Sequence, residues 1–283
     1  DEIYAKNSGT WELVFAAFTA TSLITLSSGS GTFTVPDGAN AIHIQASVGG
    51  GGGAFRGASY DKAGGESAGA GGGSGGYVSD KVFTVTEGET ISYSIGSSGA
   101  PNNSIPQRYN GSASAGTNTT ITGSTTGSLF TLTGGGGASA SGGGVQGPLR
   151  SNTSGSAGSN TISGSVITSG NFRDLDGSTK SVTTLTSGPV GTFNQSGNGV
   201  VGANPGNCGG DNCQIGGGTG GSSYAGVVNG GAGSPQGGSA GGSAGTRGSG
   251  GGGGGAQYGV EEVAGHGAAG GAGEIQYRFL RVS

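Results

Sequence analysis

The chain of 283 residues has no methionine, two histidines, two cysteines and one tryptophan, and only 9% of its residues are charged. Its formal net charge is −4, so it lacks the clustered lysines and arginines that nucleic acid or an anionic membrane surface requires. Long apolar runs are also missing. The most apolar stretch, 13–26, is cut by Thr19, Thr21, Ser22 and Thr25 and falls short of the roughly 20 residues that span a bilayer. Neither nucleic acid nor membrane insertion is expected. With no methionine and Asp1 first, the chain reads as a processed product or a defined fragment.

The shortage of histidine and cysteine limits metal chemistry. Cys208 and Cys213 lie in "NCGGDNC", a turn-forming stretch that brings the sulfurs near one another. Two readings stay open: a local disulfide, given an oxidising medium, or two free thiols or metal ligands. A metal site wants further Cys or His nearby, and the only histidines are His43 and His266. No metal and no cofactor are expected.

What the chain has is glycine: 73 residues, roughly a quarter against a usual share of about 7%, without the strict triplet period of collagen. Such composition by default implies disorder, but alternating apolar and polar stretches stand against that default. "GTFTVPDGANAIHIQASV" (31–48) reads as strand, Pro-Asp-Gly turn and strand, with Ile42, Ile44 and Ala46 on one face. "GGYVSDKVFTVTEGETISYSIG" (75–96) repeats that grammar: Val82, then after a phase change Phe83 and Val85, then Ile91, Tyr93 and Ile95. "TNTTITGSTTGSLFTLTGGGG" (117–137) is a third unit, and "GEIQYRFLRV" (273–282) closes with Ile275, Tyr277 and Phe279 on one face. "TWELVFAAF" suits a helix or a strand equally, and helix signals are otherwise nearly absent.

Glycine runs sit at the ends of those strands: 49–53, 71–76, 134–137, 216–221 and 250–255. Polyglycine can take the threefold polyproline-II form, which has no internal hydrogen bonds, so its amides must bond elsewhere. Neighbouring segments of this kind can bond to one another. The expected fold class is therefore all-β: a small antiparallel sheet or sandwich combined with a bundle of polyglycine-II helices and almost no α-helix. The alternative is that the glycine runs are flexible loops.

The order of "GTFTVPDGANAIHIQASVGGGGG", "GGYVSDKVFTVTEGETISYSIGSSG", "TTGSLFTLTGGGG" and "AAGGAGEIQYRFL" resembles the glycine-rich domain of bacteriophage tail fibres and tail-tip adhesins, over roughly 30–280. The usual junction tryptophan is absent from "ASVGGGGG", and 138–215 is longer and richer in Ser, Thr and Asn than the family pattern. "IYAKNSGTWELV" (3–14) is similar to short segments near such domains in phage tail proteins. The resemblance implies residues 1–28 as an N-terminal attachment segment to other virion tail or fibre proteins. It implies 29–283 as the adhesin domain, with 138–215 an elaborated insertion. It also implies a virion tail location, an extracellular setting and a host surface receptor, either an outer-membrane protein or a surface glycan, and it allows a homo-oligomer.

Loops between glycine blocks are the expected contacts: "AFRGASYDKA" (54–63), "APNNSIPQRYN" (100–110), "NFRDLD" (171–176) and "AQYGVEEVAGH" (256–266). Within them Phe55, Arg56, Tyr60, Arg108, Tyr109, Phe172, Arg173 and Tyr258 are the receptor-contact candidates, because aromatics and arginine dominate interface energies. Residue by residue, the competing role is to plug a small satellite core. Trp11 is the attachment candidate, set against a core tryptophan under a small cap.

Enzymatic motifs fail. "GGSGG" (72–76) and "GGSAG" (237–241 and 241–245) match a nucleophile elbow without its strand-turn-helix context, and "GGGTGG" (216–221) has no helix to receive a pyrophosphate. "DLDG" (174–177) would need Glu where Leu185 stands, and Glu261 and Glu262 are adjacent, which points them to opposite faces of a strand. No enzyme is expected. The expected function is receptor binding through loops on a rigid polyglycine scaffold. The alternative is a self-associating fibre, tail or capsid-surface subunit, and ice binding, prompted by "TNTTIT" (117–122), is a distant third.

Overall fold

A computed structural model describes residues 3–7, 10–15, 18–54, 66–67, 69–103, 111–141, 151–186, 207–208, 214–215, 218–221, 243–245, 247–253, 256–257 and 263–283. Strands dominate, and among the described residues the one helix is Val182–Thr186. "TWELVF" is the strand Thr10–Phe15, paired with Ile3–Asn7.

Two five-stranded antiparallel sheets face each other. The first runs Asn160–Ile162, Gly127–Leu132, Thr119–Gly123, Thr90–Ser94, Ser30–Thr34 across its width. The second runs Val166–Ile167, Tyr77–Thr84, Ala41–Val48, Glu274–Leu280, Ile24–Leu26. Strand alternation sends one set of side chains between them. Ile42, Ile44, Phe83, Val85, Ile91, Ile95, Ile121, Leu129, Phe130, Leu132, Ile275, Tyr277 and Phe279 form one core, and Phe33 stacks on Tyr277 at 4.5 Å between ring centroids. The expected inward residues are there, with one correction. A register shift at Gln276/Tyr277 pairs Ile44 with Tyr277 but Ala46 with Gln276, so the extra residue Gln45 takes Ala46 out of register with Ile42 and Ile44. Ser47, paired with Ile275 and Val78, takes the inward register in its place.

Seven strands of the sandwich continue past one end as extended rods. Ala41–Val48, Thr90–Ser94 and Gly127–Leu132 run outward into 49–54, 96–102 and 133–138; the rods 69–76, 113–117, 155–159 and 268–273 return into the strands that follow them. The bonding of 49–54 has a period of three. Gly49 and Gly52 donate to the carbonyls of Gly76 and Gly73, Gly50 and Gly53 to Thr117 and Ser114, and Gly51 and Ala54 to Gly271 and Ala268. Each neighbour is met at every third residue, as a helix of three residues per turn requires. The carbonyls turn to three further neighbours: Gly51 and Ala54 accept from Gly99 and Asn102, Gly50 and Gly53 from Gly135 and Ala138, and Gly52 from Gly251.

Those six neighbours bond to one another in a closed ring, through Gly73 to Gly136, Gly116 to Gly135, Ser114 to Ala100, Gly270 to Gly99, Gly271 to Ser249 and Gly72 to Gly251. Rods 155–159, 218–221 and 243–245 add to the outside. The result is a hexagonal lattice of main chain. A β-carbon built on Gly51 or Gly52 would fall on the carbonyl oxygen of Ser249 or Gly136, nearer than the 3.0 Å that real β-carbons keep. That position holds a Cα–H aimed at a carbonyl, a weak contact that glycine alone supplies here. Among the described residues the glycine runs are thus hydrogen-bonded rods and not loops.

Rods 49–54, 69–76 and 248–253 are buried throughout, and they carry the near-continuous glycine runs. On two perimeter rods, 96–102 and 155–159, glycine recurs at every third position. Gly96 and Gly99, and Gly155 and Gly158, are buried, while Ser97, Ala100, Ser156 and Ser159 face out. The lattice requires glycine only where another rod approaches.

Two expected boundaries move. Ile24–Leu26 forms the edge of the second sheet, Ala20 lies in a buried cluster, and Phe18 packs against the main core. Residues 18–28 therefore belong to the sandwich and not to a separate segment. Likewise 138–186 contributes a rod, two sheet strands and a cover on the second sheet, all integral to the domain.

Candidate functional site

The rods share one axis, some running outward and some returning, so their far ends come together opposite the sandwich. Locks are built there from short polar side chains. Ala54 donates to the Ala268 carbonyl and accepts from the Asn102 amide. The Asn103 side chain closes a two-way clamp on Gly267, accepting from its N–H at 2.8 Å and donating to its carbonyl at 3.3 Å. Asn102 Nδ2 donates to the Ser112 carbonyl. Three small sheets cap the same end: Gly111–Ser112 with Ser139–Ser141 and Ser151–Thr153, Glu66–Ser67 with Asn207–Cys208, and Gln214–Ile215 with Ala256–Gln257 and Val263–Ala264.

Chain segments 55–65, 104–110, 142–150 and 258–262 leave and re-enter the described structure at this end. Three of the four expected contact loops are thereby attached to it. Phe55, Arg56, Tyr60, Arg108, Tyr109 and Tyr258 lie outside the described residues, as does Cys213. Cys208 lies in the strand pairing opposite Glu66, and Trp11 pairs with Lys6 in the N-terminal hairpin.

The fourth loop is elsewhere. Asn171–Arg173 pairs with Thr179–Ser181, and this hairpin covers the outer face of the second sheet beside Ala20 and Ser283: Ala20 N–H donates to the Arg173 carbonyl, and Ser283 and Asn171 exchange backbone bonds. Phe172 is 3% exposed, packed with Ala20, Ala41, Val82, Val182 and Leu280, beneath the Arg278 guanidinium at 5.6 Å. It fills a satellite core and has no surface to offer a receptor. Arg173 is exposed, but at the opposite end from the other loops, with its Nε donating to the Gly177 carbonyl at 3.2 Å. Val82, the residue before the phase change, belongs to this same outer cluster.

Charge is concentrated under that hairpin. Arg278 bonds Asp174 at 2.9 Å and donates from Nε to His43 Nδ1 at 3.3 Å. Lys180 reaches Asp174 at 2.9 Å. His43 Nε2 faces Asp80 Oδ1 at 3.4 Å, too long for a well-formed hydrogen bond, and Asp80 adopts a left-handed φ of 48° that Asp tolerates better than most residues. Burial, reinforced by Arg278 and opposed by Asp80, lowers the His43 pKa, so the ring is neutral. At the far turns of the sandwich, burial acts to raise the Glu89 pKa, but amides of Thr86, Thr126 and Thr125 and the Thr126 hydroxyl outweigh it and hold the carboxyl low. That one carboxylate staples two turns. Among the described residues no cluster of three His, Cys, Asp or Glu could hold a metal, and no helix is long and apolar enough to cross a membrane.

The sequence reading missed Asn102 and Asn103, whose signal was a pair of amides directly after a glycine-rich rod. No curated protein matches the chain. A family model described as a glycine-rich domain matches residues 25–280, a span that opens inside the edge strand Ile24–Leu26 and closes at the end of Glu274–Leu280, so that it takes in both sheets and every rod. The chain belongs to that glycine-rich domain family.

Proposed function

We propose that this protein is a receptor-binding component of a phage tail, holding contact loops at the far end of a rigid main-chain lattice. The observation that carries the reading is the common exit of segments 55–65, 104–110 and 258–262 at the locked rod ends, opposite the end where the hairpin over the second sheet meets residues 18–21. A lattice bonded through backbone alone keeps its geometry whatever side chains the loops carry, which suits a surface that must vary in specificity. On this reading residues 1–17 attach the domain to other tail proteins, and the partner at the loops is an outer-membrane protein or surface glycan of the host. The phage context itself rests on likeness of sequence pattern.

The test replaces 55–65 with a Gly-Ser linker of equal length and measures binding of the purified chain to host cells. Binding should fall at least tenfold while the melting temperature stays within a few degrees. Unchanged binding with every loop replaced in turn, or association of the chain only with itself, would favour the structural-subunit reading.

A further inference from the structure

The outward face of the first sheet carries a two-dimensional array of hydroxyls. Strand registers align Thr161, Thr131, Thr120, Ser94 and Ser30 in one row across all five strands. A second row holds Ser128, Thr122, Ser92 and Thr32, and Thr90 opposite Thr34 begins a third. The alternate row, Ile162, Phe130, Ile121, Tyr93 and Gly31, faces the core. No Asp, Glu, Lys or Arg occurs in these five strands. All the hydroxyl residues named are exposed except Thr120 and Thr131, which are half-buried.

Within a row, neighbouring side chains are about 4.7–4.9 Å apart across the sheet, and on Thr119–Gly123, Thr90–Ser94 and Ser30–Thr34 successive outward residues are roughly 6.8 Å apart; on Gly127–Leu132 a bulge at Leu129 sets Ser128 and Thr131 three residues apart. Sheets ordinarily twist by about 20–25° per strand, but four of these five strands continue into 96–102, 113–117, 133–138 and 155–159, which the lattice holds side by side. Those rods extend the same face with Ser97, Ser114, Thr117, Ser156 and Ser159. At the joint Thr117 Oγ1 accepts from Ser97 N–H at 2.7 Å and Thr133 Oγ1 from Ser159 N–H at 2.6 Å, so hydroxyls tie adjacent rods together where the strand ladder ends.

We propose that this face binds ice. A soluble sugar or peptide gains little from it: each hydrogen bond replaces one to water for a net of about 0.5–1.5 kcal/mol, against an association cost of about 4–15 kcal/mol. The outward residues of these strands include no aromatic anchor of the kind that dominates binding energy. A crystal of water differs on both counts. Its molecules are already immobilised, and a rigid array of hydroxyls and threonine methyls meets many lattice positions at once. The single threonine row visible in "TNTTIT" becomes, in the fold, one strand of five.

The experiment grows a single ice crystal from a solution of the full chain, reading thermal hysteresis and the planes that labelled protein decorates. The parent chain should shape the crystal and decorate a defined plane. The double variant T122K/T131K, with an unchanged melting temperature, should lose at least tenfold in hysteresis activity, while Asp176→Lys, exposed in the hairpin turn over the second sheet, should keep it. Unshaped crystals with the parent chain overturn the inference, as does a folded double variant as active as the parent. Host-cell binding is unaffected by either outcome, so failure here leaves the receptor reading untouched.

Discussion

The sandwich and the lattice solve one problem in two ways. In the sandwich, strands are held apart by side chains, and stability comes from apolar area: a fully buried Phe130 or Ile42 contributes about 1.5–3 kcal/mol. In the lattice the rods touch through main chain, and each residue returns about 0.5–1.5 kcal/mol of net hydrogen bonding against about 1–2 kcal/mol for fixing its backbone. A rod residue by itself is therefore near balance or a net cost. The rods are ordered because seven of them continue strands whose register the sandwich has already set. The lattice depends on the sandwich for stability, and it supplies in return a shape that does not rely on side chains.

The sharpest way to break this comparison is to empty the sandwich. Phe130→Ala should cost about 3–5 kcal/mol in urea denaturation and remove hydrogen-exchange protection from rods and strands together, because the rods cannot stand alone. Next comes a single methyl in the lattice. Gly52→Ala sets a β-carbon on the Gly136 carbonyl and should cost about 1–3 kcal/mol, the range for overpacking. Its exchange signature should differ, with amides of 49–54 and their neighbours losing protection while the sandwich keeps most of its own. If Gly52→Ala is neutral, close approach is not what the glycines are for.

Glu89→Ala leaves the amides of Thr86, Thr125 and Thr126 without their acceptor and should cost about 1–3 kcal/mol. Because the Glu89 pKa is lowered on folding, its contribution is present above the unfolded carboxylate range and is lost as pH falls through the lower folded value. The stabilities of the parent and the variant should converge as pH falls. His43 acts in the neighbouring window. Its folded pKa is lowered, so below about 6.5 the unfolded chain takes up a proton that the folded chain refuses. Stability should decline as pH falls through the unfolded value of about 6.5, and His43→Gln should flatten that decline. Ser156→Ala, on an exposed perimeter position, should change stability by no more than about 0.5 kcal/mol, the counterpart to Gly52.

Much of this was legible beforehand. Alternation in "AIHIQASV" and "EIQYRFL" marks strands because a pleated strand shows its faces at period two, and the inward set Ile42, Ile44, Tyr277 and Phe279 follows from it. A register shift beside Gln45 was not legible, since a bulge depends on the partner strand. The same limit applies to the contact loops. Phe172 and Tyr258 look alike in sequence, each an aromatic between glycine blocks, yet Phe172 lies under Arg278 in a core that gathers Ala20, Ala41, Val82, Val182 and Leu280 from five separate segments. Asn103 meets Gly267, 164 residues away, and nothing local to either announces it.

By composition and period alone the chain was committed to strands flowing into bare main chain, because a run without side chains can be buried only against other main chain. Glycine at every third place marks 96–99 and 155–158 as rods with one side open, but the unbroken run 134–137 is also partly exposed, so run length alone does not mark the centre. The order of neighbours around 49–54, the end at which the loops gather and the assembly of five separate threonine and serine strands into one face came only from tertiary structure. Hydrogen bonds between rods carry no side-chain signature, so any glycine segment could have met any other until the sandwich fixed their order.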